Sequence, residues 1–285
     1  MADKDVDSIT GTETTGHEWD GIKELNTPLP KWWLYTFYAT IIWGLGYYIL
    51  YPAWPWLSGY TLGVLGYSSR AQFVETMAAV DEGRVGWINK FEQLELTEIA
   101  EDPELLQYAM AGGRSIFAEN CAPCHGSNGA GAPAYPVLVD DDWLWGGTLE
   151  DIHTTVMYGV RGDHDEARYS EMPAFGVDEL LEPDQISAVA DYVLSLSGSG
   201  TVNEDGKVIF EEQCIACHGE DAKGVTDLGG PNLTDQIWLY GGTKEDIVAQ
   251  ITTPRHGVMP PMGARLDDAE VKQVTIYVHS LGGGQ

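Results

Sequence analysis

Basic residues are scarce in this chain: 15 Lys and Arg stand against 44 Asp and Glu in 285 residues, a formal net charge of -29. A phosphate backbone is bound through cations, so this deficit argues against nucleic acid as a partner. A basic protein partner remains compatible with it. Cysteine is rarer still, four residues in all. No Cys exists beyond two pairs to complete a Cys₄ or Cys₃His zinc site, so zinc would have to recruit scattered histidines for both pairs. Charge is missing altogether from Trp32 to Ser69. The apolar run inside that stretch starts late and lacks an Ala-x-Ala-like cleavage site, which speaks against a removable export signal.

The cysteines that are present decide the class. Cys121 and Cys124, and again Cys214 and Cys217, are each followed at once by a histidine, His125 and His218. Cys-x-x-Cys-His is the spacing that attaches a c-type haem through two thioether bonds, with the histidine becoming an iron ligand. Two complete copies imply two covalently bound haem c groups.

Residues 1–31 are polar and acidic, without apolar periodicity, and are expected to form no fold. Trp32 to Tyr51 is a mostly apolar run of the length a helix needs to cross a bilayer, with Trp and Tyr at both ends and Pro52 and Pro55 beyond it. The reading is one transmembrane helix over 32–52. Lys23 and Lys31 on its N-terminal side, with no basic residue on the other side before Arg70, favour a cytoplasmic N-terminus. Haem attachment outside the cytoplasm places the rest in the periplasm of a bacterial inner membrane. Residues 53–107 read as an interfacial segment and a helical connector.

After residue 107 the chain repeats itself. Trp143 to Ile152 matches Trp238 to Ile247, with eight of ten positions identical, and Tyr192–Gly198 matches Tyr277–Gly283. The fold class expected is therefore all-α, a transmembrane helix followed by two tandem cytochrome c domains, 108–198 and 199–285. Ile186, Val189, Tyr192 and Val193, like Val271, Val274, Tyr277 and Val278, form the apolar face of a terminal helix, expected to pack on the first helix of its own domain.

Two Met-Pro pairs at equivalent places, Met172-Pro173 and Met259-Pro260, offer the sixth iron ligands. Met157 aligns with Thr252 and reads as core, while Met262 lies near the loop but lacks the repeated proline. Bis-histidine ligation through His153, His164, His256 or His279 is the alternative. His/Met ligation raises the potential of the iron and leaves no open coordination site, which suits electron exchange. Pro136-Val-Leu and Pro231-Asn-Leu sit at equivalent positions after the two histidines, where a carbonyl could accept the imidazole N–H.

The run Asp20-Gly-Ile-Lys-Glu-Leu-Asn-Thr-Pro-Leu-Pro-Lys-Trp-Trp33, with the tandem haem motifs and Met-Pro loops, resembles the dihaem FixP/CcoP subunit of cbb3-type cytochrome c oxidases. The resemblance implies a relay of electrons from a donor cytochrome c towards a monohaem cytochrome c subunit and a haem–copper catalytic subunit, which reduces oxygen and pumps protons. It implies no independent active site in this chain. It further implies exchanged methionines, Met259 with His125 on haem 1 and Met172 with His218 on haem 2; proximity along the chain suggests the opposite. A free-standing membrane-anchored shuttle and a dihaem peroxidase are the other readings, the latter needing one iron with a displaceable ligand.

Overall fold

The computed structural model describes residues 5–282; residues 1–4 of the N-terminal segment and 283–285 of the second repeat lie outside it. The chain divides after Gly83 into two compact units.

The first unit is not structureless at its start. Strands β1 (Thr14–Trp19) and β2 (Ile22–Leu25) pair antiparallel, with Trp19 opposite Ile22. The expectation of no fold in 1–31 overlooks the Asp20-Gly21 turn, where both residues take positive φ, 48° and 85°. A two-residue Asp-Gly connection in that conformation is a strong local hairpin signal. Helix α1 (Lys31–Leu50) follows, then a second hairpin, β3 (Pro55–Trp56) with β4 (Gly59–Tyr60). The fold is therefore not all-α.

The membrane helix expected over 32–52 is also corrected. Among the described residues no helix is both long and apolar enough to cross a membrane. The length of α1 suits a span, but Trp, Tyr, Thr and Gly fill more than half of its positions. All four are poorer in transfer free energy than Leu or Ile, and Trp and Tyr favour interfaces. The chain turns back at its end: Val64 and Leu65 donate backbone N–H to the carbonyls of Ile49 and Leu50 at 2.9 and 3.0 Å, satisfying acceptors that a helix C-terminus leaves open.

In the second unit the connector is broken. Helix α2 (Ser69–Gln93), in which the unit boundary falls, ends before α3 (Leu96–Glu101), and α4 (Pro103–Asn120) starts at a proline behind the Asp102 cap, whose carboxylate accepts from the N–H of Glu104 and Leu105. Lys272 caps the end of α2, donating to the carbonyls of Phe91 and Leu94 at 2.6 and 2.8 Å. Gly112 and Gly113 lie inside α4 and do not open a new segment. The remaining helices are α5 (Ala122–His125), α6 (Leu149–Tyr158), α7 (Pro183–Leu196), α8 (Glu204–Gln213), α9 (Ile215–His218), α10 (Lys244–Thr252) and α11 (Asp268–His279).

The terminal helices are exchanged between the repeats. Helix α11 packs along α4 and α6 of the first repeat, and α7 packs along α8 and α10 of the second. The apolar faces are the expected ones, but each meets the other repeat. One core joins Phe117, Cys121, Ile152 and Val156 to Met262, Val271, Val274 and Val278. The other joins Phe175, Ile186, Val189 and Val193 to Phe210, Ile247 and Ile251. A third cluster, with Phe91, Ile99, Leu105 and Ala109, buries the opposite side of α11 through Ala269 and Ile276. Periodicity identifies a buried face and says nothing about which copy covers it.

Double-mutant cycles in denaturant unfolding read this exchange. Phe117→Leu and Val274→Ala, which share a core across the repeats, are expected to depart from additivity by about 0.5–3 kcal/mol. Phe117→Leu with Val193→Ala, within one repeat, should add to within about 0.5 kcal/mol. The reverse pattern would count against exchanged helices.

Candidate functional site

Each Cys-x-x-Cys-His sequence sits at a helix end. Cys121 closes α4 and Cys214 closes α8, and one further turn carries the chain through α5 or α9 to the histidine. The N–H of His125 donates to the Cys121 carbonyl at 2.9 Å, and that of His218 to Cys214 at 3.0 Å. This helical turn sets both thiols of a pair on one side, because residues three apart are neighbours on a helix. All four thiols are free. Burial, with a smaller contribution from the neighbouring Cys124 or Cys217, pushes the Cys121 and Cys214 thiols up to about 11.

The two imidazoles are oriented alike. Nδ1 of His125 lies 3.0 Å from the Pro136 carbonyl, and Nδ1 of His218 lies 3.1 Å from that of Pro231, as the sequence leads one to expect. A carbonyl only accepts, so each Nδ1 carries the proton and each Nε2 keeps a lone pair. Burial holds both histidines below the ordinary imidazole range, the proline carbonyl only partly opposing it. Burial therefore favours the neutral form of both imidazoles.

The methionines lie in opposite cores. Met259 packs against the cluster containing Phe117 and Cys121, together with Leu138, Trp143 and Met157. Met172 packs against the cluster containing Phe210, with Cys214 and Trp238 beside it. Met259 is held there by a two-way backbone bridge to Val160, with N–H to O distances of 3.0 and 2.9 Å. Met262 is buried in the same cluster as Met157, as core residues would be.

Free thiol pairs, neutral imidazoles with Nε2 open, and thioethers in the same clusters form a donor set that fits c-type haem. A further buried donor points the same way: among the described residues Arg168 Nε has no hydrogen-bond partner, although its NH2 atom pairs with Asp151 at 2.9 Å and its guanidinium lies over Trp145. A haem carboxylate is the kind of acceptor that would satisfy it.

Arginine is what the sequence reading passed over. Arg168 over Trp145 is mirrored by Arg255 over Tyr240, 4.7 Å from the ring centroid, and the two aromatic positions align in the repeat. Pairing each aromatic with an Arg just before the Met-Pro loop was a signal available in the sequence. The repeats also meet loop to loop. Asn232 donates to Asp142 at 2.8 Å, the Ala134 N–H to the Leu239 carbonyl at 3.0 Å, and the indole of Trp145 lies where a side chain at Gly229 would have to go.

Three family models match the chain. Residues 11–58 match the N-terminal domain of cytochrome oxidase-cbb3, FixP; residues 110–197 match cytochrome c; residues 201–278 match cytochrome C oxidase, cbb3-type, subunit III. The chain is 52% identical over 276 residues to the cbb3-type cytochrome c oxidase subunit CcoP of Cereibacter sphaeroides, covering 95% of each. It is 51% identical over 290 residues to the subunit FixP of a Bradyrhizobium species, covering 100% of each. The FixP subunit of Azorhizobium caulinodans is 52% identical over 284 residues, covering 98% of this chain and 96% of that one.

Asp235 supplies a pH-dependent test of the contact between the repeats. Burial raises its pKa, and Asp142 adds to this by charge and by sharing a proton, with Asp140 also near. A carboxyl whose pKa rises on folding contributes stability that is complete below its unfolded value and lost as pH climbs through the folded one. Asp235→Asn is therefore expected to raise Tm at neutral pH and to match the parent near about pH 3, below the ordinary carboxyl range. Thermal unfolding at the two pH values checks it; an equal shift at both would remove the assigned cause.

Proposed function

The chain belongs to the FixP/CcoP family of cbb3-type cytochrome c oxidase subunits, and we propose that within that complex it accepts single electrons from a donor cytochrome c and relays them through two His/Met haems. It is an electron-transfer subunit of an oxidoreductase complex, carries covalently bound c-type haems, and assembles with the catalytic and other cytochrome subunits. The complex is membrane-bound and bacterial.

In this reading Cys121 and Cys124 hold haem 1, with His125 and Met259 on its iron, and Cys214 and Cys217 hold haem 2, with His218 and Met172. The observation that carries the pairing is the placing of each methionine in the core of the other repeat's cysteines. The haem supplies one-electron chemistry. The protein residues do the rest: two proline carbonyls orient the imidazoles, a thioether fills each sixth position, and apolar side chains exclude water. With His125, His218, Met172 and Met259 as ligands, neither iron would be left open for peroxide, which favours relay over a peroxidase. The tandem cytochrome c domains, 108–198 and 199–285, are repeats in sequence that fold by exchanging their last helices. The haem-bearing part faces the periplasm, since thioether attachment takes place outside the cytoplasm. The acidic surface suits a basic donor, whose association would then weaken with salt.

Removing one haem isolates the pairing. In a chain carrying Cys121→Ala and Cys124→Ala only haem 2 remains. Met172→Ala in that background is expected to turn it from low-spin to high-spin and lower its midpoint potential, while Met259→Ala leaves its spin state intact. Optical and paramagnetic resonance spectra read the difference, and the opposite response would reverse the assignment.

A further inference from the structure

Arg161 stands just beyond the end of α6 in a conformation that few side chains adopt, with φ at +52°. Left-handed backbone is disfavoured for any residue with a Cβ and persists where surrounding contacts fix it. The contacts here are specific. Its N–H donates to the Arg168 carbonyl at 2.8 Å, and its neighbour Val160 is the residue bridged to Met259.

The side chain then reaches in two directions. Nε donates to the Gly257 carbonyl at 2.7 Å, and the NH1 atom donates to the Ser170 carbonyl at 2.9 Å. Gly257 lies two residues before Met259, and Ser170 lies two residues before Met172. One guanidinium therefore grips both methionine loops at the same register. Burial pulls its pKa down, with Tyr240, Glu171 and Tyr169 nearby partly offsetting this. Two neutral carbonyls compensate a half-buried cation less than a carboxylate would. What the planar fork does provide is fixed geometry between two segments, which the single ammonium of a lysine cannot reproduce.

We propose that Arg161 is a positioning residue common to both axial-methionine loops, so that the two sixth ligands are held or released together. The inference rests on the assignment of Met172 and Met259 as ligands. It makes the two iron environments interdependent through one side chain that belongs to neither cysteine motif. A residue that merely cross-linked the fold would lower stability without opening both irons.

Carbon monoxide on the reduced, full-length dihaem chain reports an iron whose methionine has left, and the spin state of the oxidised chain reports the same event independently. Met172→Ala and Met259→Ala should each open one iron. Arg161→Gln should open both, and Arg161→Lys, which keeps the charge without the fork, should open both to a smaller extent. Binding at one iron only, or at none, in the Arg161 variants overturns the proposal. If Arg161→Gln does not accumulate as a dihaem protein, Arg161→Lys alone carries the test. Should the two methionine variants leave both irons low-spin, the ligand assignment itself fails; should each open one iron while the Arg161 variants open none, only the shared clamp fails.

Discussion

The packing of α11 on α4 is the constraint on which the second unit depends. The two helices approach so closely that a side chain at Gly113 would collide with the Gln273 backbone and with Tyr277. The same device recurs in the other core, where Gly206 faces the backbone of Ala188 on α7. Glycine in a helix interior costs about 1 kcal/mol relative to alanine. Its recurrence at the two equivalent helix crossings shows that close approach outweighs that loss. Once α11 lies on α4, the loop leading into it passes beside the first cysteine turn, and Met259 arrives at the Val160 bridge.

Each haem environment is in this way assembled from both repeats. Small cytochrome domains bury little surface for their length, and a shared construction enlarges what each core can bury. Valines 271, 274 and 278 face the first cysteine motif, while Ala269 and Ile276 face Ile99 and Leu105, so α11 is covered on both sides. The polar groups that remain inside are paired to match. Capping boxes start α7, α10 and α11, and the histidine N–H groups end on proline carbonyls. Among the described residues Thr275 Oγ1 and Arg168 Nε are left without a hydrogen-bond partner, and the latter lies among the aromatic and acidic groups beside the first methionine loop.

The cysteine turns, the histidine orientation and the apolar faces of the two terminal helices were legible in the sequence because each is a local pattern. The matching Pro-x-Leu segments point to Pro136 and Pro231 as the partners of the imidazoles. The exchange of helices was not legible, since identical apolar faces on α7 and α11 are equally good partners for either repeat. Methionine exchange was an expectation of the family resemblance, whereas the helix exchange that favours it needed the structure. The Asp20-Gly21 hairpin was readable from its turn dipeptide and was missed because the surrounding strands bury only Thr14. Helix α1 was read correctly as a helix and wrongly as a membrane span, because a count of uncharged positions ignores how many of them are Trp, Tyr, Thr and Gly.

The exchange also makes the two cores unequal as folding problems. The second closes over a contiguous stretch, from Met172 through α7, α8 and α10 to Ile251. The first requires α4 to wait for α11, with the whole of the second core between them in the chain. Contacts that close long loops form later and more slowly than local ones, because the entropy of closure precedes the reward. A chain built this way gains an order: the contiguous core around Cys214 and Cys217 can form from its own span, and its formation brings the two ends of the first core together. Arg161 sits at that closing point, bound through Ser170 to a loop of the second core and through Gly257 to the loop that completes the first. The side chain that aligns both methionines is thus also placed where the discontinuous core is closed.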